Sequence, residues 1–254
     1  MKKVFLSVVI PCYNEEANLK RGVLDEVDRY LKKQKYSSEV IISDDGSVDN
    51  SLGLVEKYLK THPRFKLLKN KHGGKPFAVR AGVNAAKGKV ILFTDMDQST
   101  PINQVEKLLP LFAKSYDVVI GSRGQARKGY SLLRRLASSV FMLIRQALIL
   151  KDIVDTQCGF KAFKNKAAKD LFSKLLIFRK AKKATGWRVG AFDVELLFVA
   201  EKRDYRIKEV PVEWKDRDIS ITKGKTKSKF LKESEQMARE IFRVRLNDWR
   251  KMYD

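Results

Sequence analysis

The sequence is poor in cysteine and has no long uninterrupted apolar run. Its 254 residues include only two cysteines, Cys12 and Cys158, with no CxxC motif and no Cys/His cluster. These features argue against a zinc site and favour reduced thiols in the cytosol. Three arginines interrupt the best apolar candidate, 132–150, whereas a membrane-spanning helix needs roughly 20 apolar residues. We therefore expect a chain that does not cross a bilayer.

The N-terminal residues also do not match the pattern of a secretory signal peptide. Lys2 and Lys3 precede the apolar run Val4–Ile10, but Pro11 follows it without a small-residue cleavage site. The run therefore predicts a first buried strand rather than a signal peptide.

Acidic residues are the minority, with 30 Asp and Glu against 53 Lys and Arg and a net charge of +23. Residues 123–188 alone contain 17 Lys and Arg but only 3 Asp and Glu. A basic block of this size favours an anionic partner, which is a nucleic acid, a membrane surface or a phosphorylated substrate. The alternative is a solvated basic face without a partner.

Strand and helix patterns alternate through the first half of the chain. Such alternation predicts an α/β protein with a Rossmann-like, mostly parallel central sheet and helices on both faces. The predicted strands are Val4–Ile10, Val40–Ser43, Phe65–Leu68, Val90–Thr94 and 117–121, with Thr156–Phe163 and Ile207–Pro211 in the second half. The predicted helices are Glu15–Lys33, 49–59, 74–86, Asn103–Lys114, Phe192–Glu201 and the amphipathic segments 130–150 and Phe230–Trp249.

Two acidic motifs follow predicted strands, where ligands bind in sheets of this kind. Asp95-Met96-Asp97 places two carboxylates on the same side of an extended segment, which suits Mg²⁺ or Mn²⁺ held together with substrate phosphates. Asp44-Asp45-Gly46-Ser47 occupies the same relative place and could accept hydrogen bonds from a nucleobase or ribose. The alternatives are an exposed acidic turn and a helix cap.

A pair of glycines opens the predicted helix over 74–86, which comes before Asp95-Met96-Asp97 in the sequence. Gly73-Gly74-Lys75 offers free N–H groups and an ammonium to a phosphate, but it does not match the P-loop pattern. His62 and His72 stand in polar stretches and are interpreted as surface residues.

Taken together, these motifs resemble glycosyltransferase family 2 with the GT-A fold, and in particular its polyprenyl-phosphate branch. That branch includes dolichyl-phosphate mannose synthases and dolichyl-phosphate β-glucosyltransferases, and the run 155–161 is most similar to the glucosyl members. The resemblance covers roughly residues 4–215. It rests on 8–15, 44–47, 74–82, 95–97, 121–123, 155–161, 192–195 and 210–212.

The resemblance implies roles for individual residues in an inverting, metal-dependent transfer of glucose or mannose. Asp95 and Asp97 would bind Mg²⁺ or Mn²⁺ and the diphosphate, and Asp193 would orient sugar hydroxyls or act as base toward a neutral acceptor. The nucleotide of UDP-glucose or GDP-mannose would be framed by Pro11, Tyr13, Glu15, Asp44, Asp45, Lys75 and Asp95. The acceptor phosphate would be held by Arg123, Arg134, Arg135, Ser138 and, from a mobile loop, Arg217.

The acceptor implied by this branch is a polyprenyl (dolichyl) phosphate in an anionic membrane surface. We therefore expect a GT-A domain over 1–218, with 130–150 lying at the membrane interface, followed by a mobile basic loop and an amphipathic helix over 219–254. The expected location is the cytoplasmic face of a membrane, to which the protein is peripheral. The alternative is a family member with a soluble sugar or protein acceptor.

A nucleic-acid partner is disfavoured, because carboxylates at strand ends repel phosphates. No pattern in the sequence predicts the oligomeric state.

Overall fold

The computed structural model describes residues 3–124, 146, 148–150, 152–180, 188–220 and 239–254. Its first half alternates strands and helices, as the sequence predicts. In chain order the elements are β1 (Leu6–Cys12), α1 (Glu16–Lys20), α2 (Val23–Lys32), β2 (Ser38–Asp44), α3 (Ser51–Leu59), β3 (Phe65–Lys69), α4 (Lys75–Ala85), β4 (Val90–Thr94), a 3-10 turn (Ile102–Gln104), α5 (Val105–Ala113) and β5 (Val118–Ser122).

The second half adds two strands and several helices. These are β6 (Phe160–Lys164), α6 (Asn165–Lys174), α7 (Ile177–Lys180), α8 (Arg188–Lys202) and β7 (Ile207–Pro211). Residues 239–249 form a further helix, α9. Of the helices within the described ranges, none is both long and apolar enough to cross a bilayer.

The strands form one seven-stranded sheet in the order β3-β2-β1-β4-β6-β5-β7. Strand pairs β1–β2, β1–β4, β2–β3 and β5–β7 are parallel, whereas β6 is antiparallel to both β4 and β5. The predicted mostly parallel α/β sheet is thus confirmed. The sequence did not predict that β6 lies between β4 and β5 and runs antiparallel to both, because a short apolar run does not show the direction of its strand.

Alternating side chains of the strands divide the core into two layers. Val9 and Ile41 face one way, together with apolar residues of α4, α6, α8 and α9. Val8 and Val40 face the other way, against α2, α3 and α5. Helices on both faces are the reason that the central strands contain continuous apolar runs, such as Val8–Ile10, Val40–Ile42 and Val90–Phe93.

The predicted helix over Glu15–Lys33 is in fact two helices. The chain turns at Gly22, whose φ of +84° lies in the left-handed region that glycine adopts without steric cost. The break redirects α1 so that it lies beside the strand ends, and this places Asn18 and Arg21 near the acidic motifs.

Pro11 lies in a central strand, where proline is normally excluded. The ladder between β1 and β4 ends at the pair Val9–Phe93, two residues before Pro11. Pro11 therefore leaves no gap in that ladder. Beside it, Cys12 is free and buried, as is Cys158.

Gly82 is the point at which α4 packs most closely on β1. A Cβ at residue 82 would lie 2.3 Å from Cγ1 of the buried Val9, whereas a Cβ at Gly53 in α3 would meet only the movable side-chain end of Asn50. Overpacking costs about 1–3 kcal/mol, and alanine in a helix gains about 1 kcal/mol over glycine.

We expect Gly82→Ala to lower the free energy of unfolding by up to about 2 kcal/mol, because the overpacking cost exceeds the gain in helix propensity. Gly53→Ala, the matched control, should leave it unchanged or raise it slightly. Urea denaturation of both variants measures the difference. Equal effects of the two substitutions would contradict the proposed close contact.

Candidate active site

The carboxyl ends of β1, β2 and β4 bring the two predicted acidic motifs to one edge of the sheet. These strands are neighbours, in the order β2-β1-β4. Cys12 at the end of β1 pairs with Asp44 at the end of β2, and β4 ends directly before Asp95. Ligands of open α/β sheets bind outside such strand ends. This edge is therefore the candidate active site.

Asp95 is held between an ammonium group and a glycine. Nζ of Lys75, the first residue of α4, lies 2.6 Å from Oδ1 of Asp95. Burial alone would lower the pKa of Lys75, but the carboxylates of Asp95 and Asp193 outweigh burial and raise this pKa. On the other side, a Cβ at residue 159 would lie 1.9 Å from Oδ2 of Asp95, so only Gly159 fits there.

A buried ion pair lies behind Asp95. Nζ of Lys161, a side chain with no exposed surface, is 2.8 Å from Oδ1 of Asp193 and also donates to the carbonyl oxygen of Cys158. Burial raises the pKa of Asp193, while Lys161 and Lys75 act in the opposite direction. The two lysine ammonium groups lie 5.3 and 5.9 Å from the centre of the Phe93 ring. Both ammonium groups thus lie near one aromatic ring, and each is paired with a carboxylate.

Asp97 is fixed through its backbone and one carboxylate oxygen. Nη2 of Arg21 donates to the carbonyl oxygen of Asp97 at 2.7 Å, and the N–H of Ser99 donates to its Oδ1 at 2.8 Å. Burial and the neighbouring Asp95 raise the pKa of Asp97. The side chain is therefore oriented by the protein and destabilised as an anion, which favours a cation beside it.

Glu15 is a further carboxylate in the region of Asp95 and Asp97. Burial raises the pKa of Glu15 to about 7, with additional contributions from Asp218, Asp97 and Asp95, although a hydrogen bond from Asn18 opposes the shift. Three further carboxylates thus lie close enough to influence Glu15.

Hard-oxygen ligands are present at this edge, but they do not form a complete metal site by themselves. Across the part of the chain that the structure describes, no three His, Cys, Asp or Glu side chains are arranged to hold a metal ion. The carboxylates of Asp95 and Asp97 fit a Mg²⁺ or Mn²⁺ ion whose other ligands are phosphate oxygens and water. The raised pKa of Asp97 fits the same interpretation.

Asp44 and Asp45 are used mainly to shape two loops. Asp44 accepts hydrogen bonds from the backbone N–H groups of residues 46 and 47 and from the Ser47 hydroxyl. Asp45 accepts from the N–H groups of Gly73 and Gly74, at 2.8 and 2.9 Å. Both residues are almost fully buried. The glycine pair before α4 is thus tied to β2 by a carboxylate.

His72 is exposed, as sequence analysis predicts, and it also belongs to the site. Its ring stacks on Tyr13 with centroids 4.5 Å apart, and its Nδ1 lies 2.9 Å from Oδ2 of Asp45. This pair of rings lies beside the acidic loop that follows β2.

Arg123 follows β5 and is held rigidly by Asp155. Its Nε and Nη2 donate to the two carboxylate oxygens at 2.7 Å each, and its backbone N–H donates at 3.0 Å. The guanidinium also lies 5.8 Å from the centre of the Trp214 ring. Two-point contact of this kind fixes the plane of the guanidinium.

Arg217 lies in a segment that crosses the loop after Asp97. The N–H groups of Lys215 and Arg217 donate to the carbonyl and hydroxyl oxygens of Ser99, at 2.9 and 3.2 Å. The Arg217 guanidinium forms a two-point ion pair with Glu26 of α2, with N–O distances of 2.7 and 2.9 Å. The structure therefore attaches this segment at three points, whereas the sequence predicts a mobile loop.

The remaining predicted acceptor residues, Arg134, Arg135 and Ser138, lie outside the described residues, as does most of the predicted interface segment 130–150. Residues 221–238, which belong to the predicted basic loop and amphipathic helix, also lie outside them.

The sheet order and the acidic edge define a GT-A glycosyltransferase fold. The glucosyl-3-phosphoglycerate synthase from Mycobacterium tuberculosis, solved with Mn²⁺, uridine diphosphate and glucosyl-3-phosphoglycerate, superposes with a TM-score of 0.61. The match covers 95% of this chain and 80% of that enzyme at 18% sequence identity. This similarity establishes the fold.

Sequence similarity then gives the family. The model of Glycosyl transferase family 2 matches residues 7–172. Dolichyl-phosphate beta-glucosyltransferases of Dictyostelium discoideum and Homo sapiens are each 36% identical to the chain, over 261 and 229 residues. These alignments cover 95% and 82% of this chain and 74% and 67% of the two relatives. The chain belongs to glycosyl transferase family 2 and is a glycosyltransferase, as the resemblance of its motifs predicts.

Four residues at the edge were not predicted to have a role: Arg21, His72, Gly159 and Lys161. Arg21 and His72 act through contacts between distant segments, which a local pattern does not show. Lys161 belongs to the run 155–161, which carries the resemblance to the polyprenyl-phosphate branch of the family. This run does not show that Lys161 forms an ion pair with Asp193. A glycine at residue 159 can indicate that the backbone closely approaches another group. The sequence does not show that this group is Asp95.

The raised pKa of Glu15 makes the stability of the protein depend on pH. In the unfolded chain Glu15 ionises near 4.5, but in the folded protein it ionises only near 7. Because the folded state binds the proton more tightly, stability falls as pH rises from about 4.5 to 7 and then levels off. Glu15→Gln removes this titration and keeps an acceptor for Asn18.

We expect Glu15→Gln to raise the free energy of unfolding by about 2–3 kcal/mol at pH 8 and by far less at pH 5. Chemical denaturation at both pH values in the presence of a chelator measures the effect. Glu16→Gln is the matched control, because Glu16 is neutralised by Lys20 and its pKa is lowered. A gain for Glu15→Gln that does not depend on pH would contradict the shifted pKa.

Proposed function

We propose that this glycosyltransferase transfers glucose from UDP-glucose to a polyprenyl (dolichyl) phosphate, with a divalent metal and with inversion at the anomeric carbon. GDP-mannose is the second candidate donor. The observation that carries the proposal is the pair Asp95 and Asp97 after β4, beside Lys75, in a chain that is 36% identical to dolichyl-phosphate beta-glucosyltransferases. The glucosyl group and the dolichyl-phosphate acceptor are those in the names of these relatives. The uridine nucleotide is what the resemblance of the motifs implies, and the chemistry comes from the site.

The donor diphosphate would bind between Lys75 and the two carboxylates of the acidic motif. Asp95 and Asp97 would hold Mg²⁺ or Mn²⁺ there. When bound, the metal ion supplies positive charge that stabilises the departing nucleoside diphosphate. Lys75 supplies a second positive charge, and its raised pKa keeps it protonated at neutral pH.

The nucleoside would lie along the ends of β1 and β2. Pro11 is the penultimate residue of β1, and Tyr13 and Glu15 follow this strand. The buried carboxylates of Asp44 and Asp45 hold the adjoining loops in shape. The stacked rings of Tyr13 and His72 offer an aromatic surface beside these loops. A base or ribose would then contact a preformed surface, since the loops do not have to be ordered on binding.

The reaction requires no strong general base. A lipid phosphate is already anionic at pH 7, so its oxygen can attack the anomeric carbon while the bond to the diphosphate oxygen breaks. Attack from the face opposite the leaving group inverts the anomeric centre. The main tasks of the protein are alignment and electrostatic stabilisation. Asp193, fixed by Lys161, would orient sugar hydroxyls.

The acceptor phosphate would be bound by Arg123, together with Arg134, Arg135, Ser138 and Arg217. Asp155 holds the Arg123 guanidinium in one orientation. Arg217 is paired with Glu26, so this pair must open before Arg217 reaches a phosphate.

A basic protein with a lipid substrate suits the cytoplasmic face of a membrane, where anionic lipids attract it. We propose a peripheral enzyme whose GT-A domain spans 1–218. Its segment 130–150 would lie at the interface, and 219–254 would form a basic loop and an amphipathic helix.

The first experiment measures transfer of labelled sugar into organic-extractable lipid. UDP-glucose and GDP-mannose are tested separately, with polyprenyl phosphate and with Mg²⁺, Mn²⁺ or a chelator. We expect label from UDP-glucose only when metal is present.

We expect Asp97→Ala to abolish transfer without unfolding the protein, because it removes one of two carboxylate ligands. Asp25→Ala, which removes an exposed carboxylate on α2, serves as the control.

Near-normal transfer by Asp97→Ala would refute the assigned metal site. Metal-dependent binding of the nucleotide sugar without any lipid label would refute the lipid acceptor and favour a soluble one.

Arg123→Ala tests the acceptor site. Loss of a charge-assisted contact to phosphate costs about 1.5–3 kcal/mol, so the KM for polyprenyl phosphate should rise about 10- to 100-fold. The KM for the donor should change little. Asp155→Asn should have a smaller effect in the same direction, because Arg123 remains but loses its fixed orientation. Arg206→Ala removes an exposed arginine elsewhere and controls for net charge. An unchanged acceptor KM in Arg123→Ala would reject the assignment.

A further inference from the structure

Helix α9 presents three large apolar side chains to solvent. Phe242, Leu246 and Trp249 are 58%, 42% and 68% exposed. Their spacing of four and three residues places them on one face of the helix, as a stripe about 10 Å long. We call these three residues the α9 stripe. The opposite face is buried through Ile241 and Val244.

The stripe is not the usual scatter of exposed apolar residues. The described residues include three further large apolar side chains with comparable exposure, Val48, Val154 and Ile219, and these belong to separate loops. Single exposed apolar residues need no explanation, but a contiguous set marks an interaction surface.

The charges around the α9 stripe are arranged by sign. Arg239 and Arg250 are exposed at its two ends, on the same face. The Arg245 guanidinium lies 5.6 Å from the centre of the Trp249 ring. Asp248 pairs with Lys202 at 2.6 Å and with Arg245 at 2.9 Å. The exposed face is therefore apolar with basic ends.

The rest of α9 attaches this face firmly to the catalytic domain. Arg243 lies 3.5 Å from the fully buried Glu195 of α8, and the Tyr253 hydroxyl donates to the same carboxylate at 3.3 Å. Tyr253 also packs against Phe198. The stripe thus has a fixed orientation relative to the domain.

The α9 stripe also adjoins the segment predicted to lie at a membrane. Gln146, Leu148 and Ile149, at the end of 130–150, line a cleft of about 510 Å³ together with Arg245 and Asp248 of α9. Ile149 and Leu150 share a core cluster with the buried side of α9. Two candidate interfacial elements therefore lie next to each other.

We propose that the α9 stripe docks the protein on an anionic lipid surface. Its aromatic and leucine side chains enter the boundary between headgroups and acyl chains, while Arg239 and Arg250 contact lipid phosphates. The inference rests on the proposed peripheral location and names the surface that would produce it. Docking requires neither the donor nor the acceptor, so it can fail independently of the proposed reaction.

A lipid surface fits better than a second copy of the chain. The three side chains expose on the order of 300–400 Å², whereas a stable protein interface buries about 800 Å² per partner. A two-fold contact would also bring the basic ends of two stripes together in a protein of net charge +23. An anionic bilayer complements these charges.

Sedimentation with vesicles tests the proposal. Phosphatidylcholine vesicles with and without phosphatidylserine are used, and neither contains polyprenyl phosphate or sugar nucleotide. The full chain should bind the anionic vesicles and bind the neutral vesicles weakly. The triple variant Phe242→Ser, Leu246→Ser, Trp249→Ser should lose about tenfold or more in vesicle affinity. Val48→Ser, which removes an exposed valine on a distant loop, should bind normally.

A second measurement does not depend on the stability of the triple variant. With Trp187→Phe and Trp214→Phe, Trp249 becomes the sole tryptophan of the chain. Its fluorescence should shift to shorter wavelength on anionic vesicles and be quenched by brominated acyl chains. Absence of quenching, or unchanged vesicle binding by a folded triple variant, would overturn the proposal. A dimer that dissociates in the triple variant would instead assign the stripe to a second copy.

Discussion

The arrangement of the candidate site depends on the balance of buried charge behind its edge. Asp95 and Asp193 face Lys75 and Lys161, with ion-pair distances of 2.6 and 2.8 Å. The Lys161–Asp193 pair is buried, and removing one partner of a buried ion pair typically costs about 3–5 kcal/mol, because the other charge remains without a partner. The Lys75–Asp95 pair is about one-third exposed and is therefore held more weakly. The Asp95 carboxylate is oriented by Lys75 on one side and by the close approach of Gly159 on the other.

A second constraint follows from the direction of the strands. Because β1, β2 and β4 are parallel and adjacent, the residues that follow them must share one edge. Carboxylates from distant parts of the sequence are brought together there without any contact between their own side chains. Burial, with an added contribution from the neighbouring carboxylates, raises the pKa values of Glu15 and Asp97. A cation beside these carboxylates would reduce their repulsion.

The direction and neighbours of the strands also explain which features could be predicted from the sequence. β4 has the predicted bounds, since its continuous apolar run identifies a buried strand. The edge strand β7 also has the predicted bounds, although it contains Lys208 and Glu209 and is only partly buried. The edge location of Asp95 and Asp97 follows from alternation of strands and helices alone. The break at Gly22 was missed because one glycine within an amphipathic pattern is compatible with a continuous helix. The ion pair of Lys161 with Asp193 was missed because it joins β6 to α8.

The two acidic motifs show why residue type alone does not assign a role. Asp44 and Asp45 satisfy backbone N–H groups, and this requirement holds with or without a ligand. Asp95 instead faces an ammonium group, and Asp97 uses only one oxygen for a backbone contact. A carboxylate whose oxygens are all committed to its own loop contributes mainly shape. A carboxylate that retains acceptor capacity in a region of accumulated negative charge is the one that a cation can bind. The distinction between a loop-shaping and a ligand-binding acidic motif therefore lies in the hydrogen-bond partners, which only the folded chain defines.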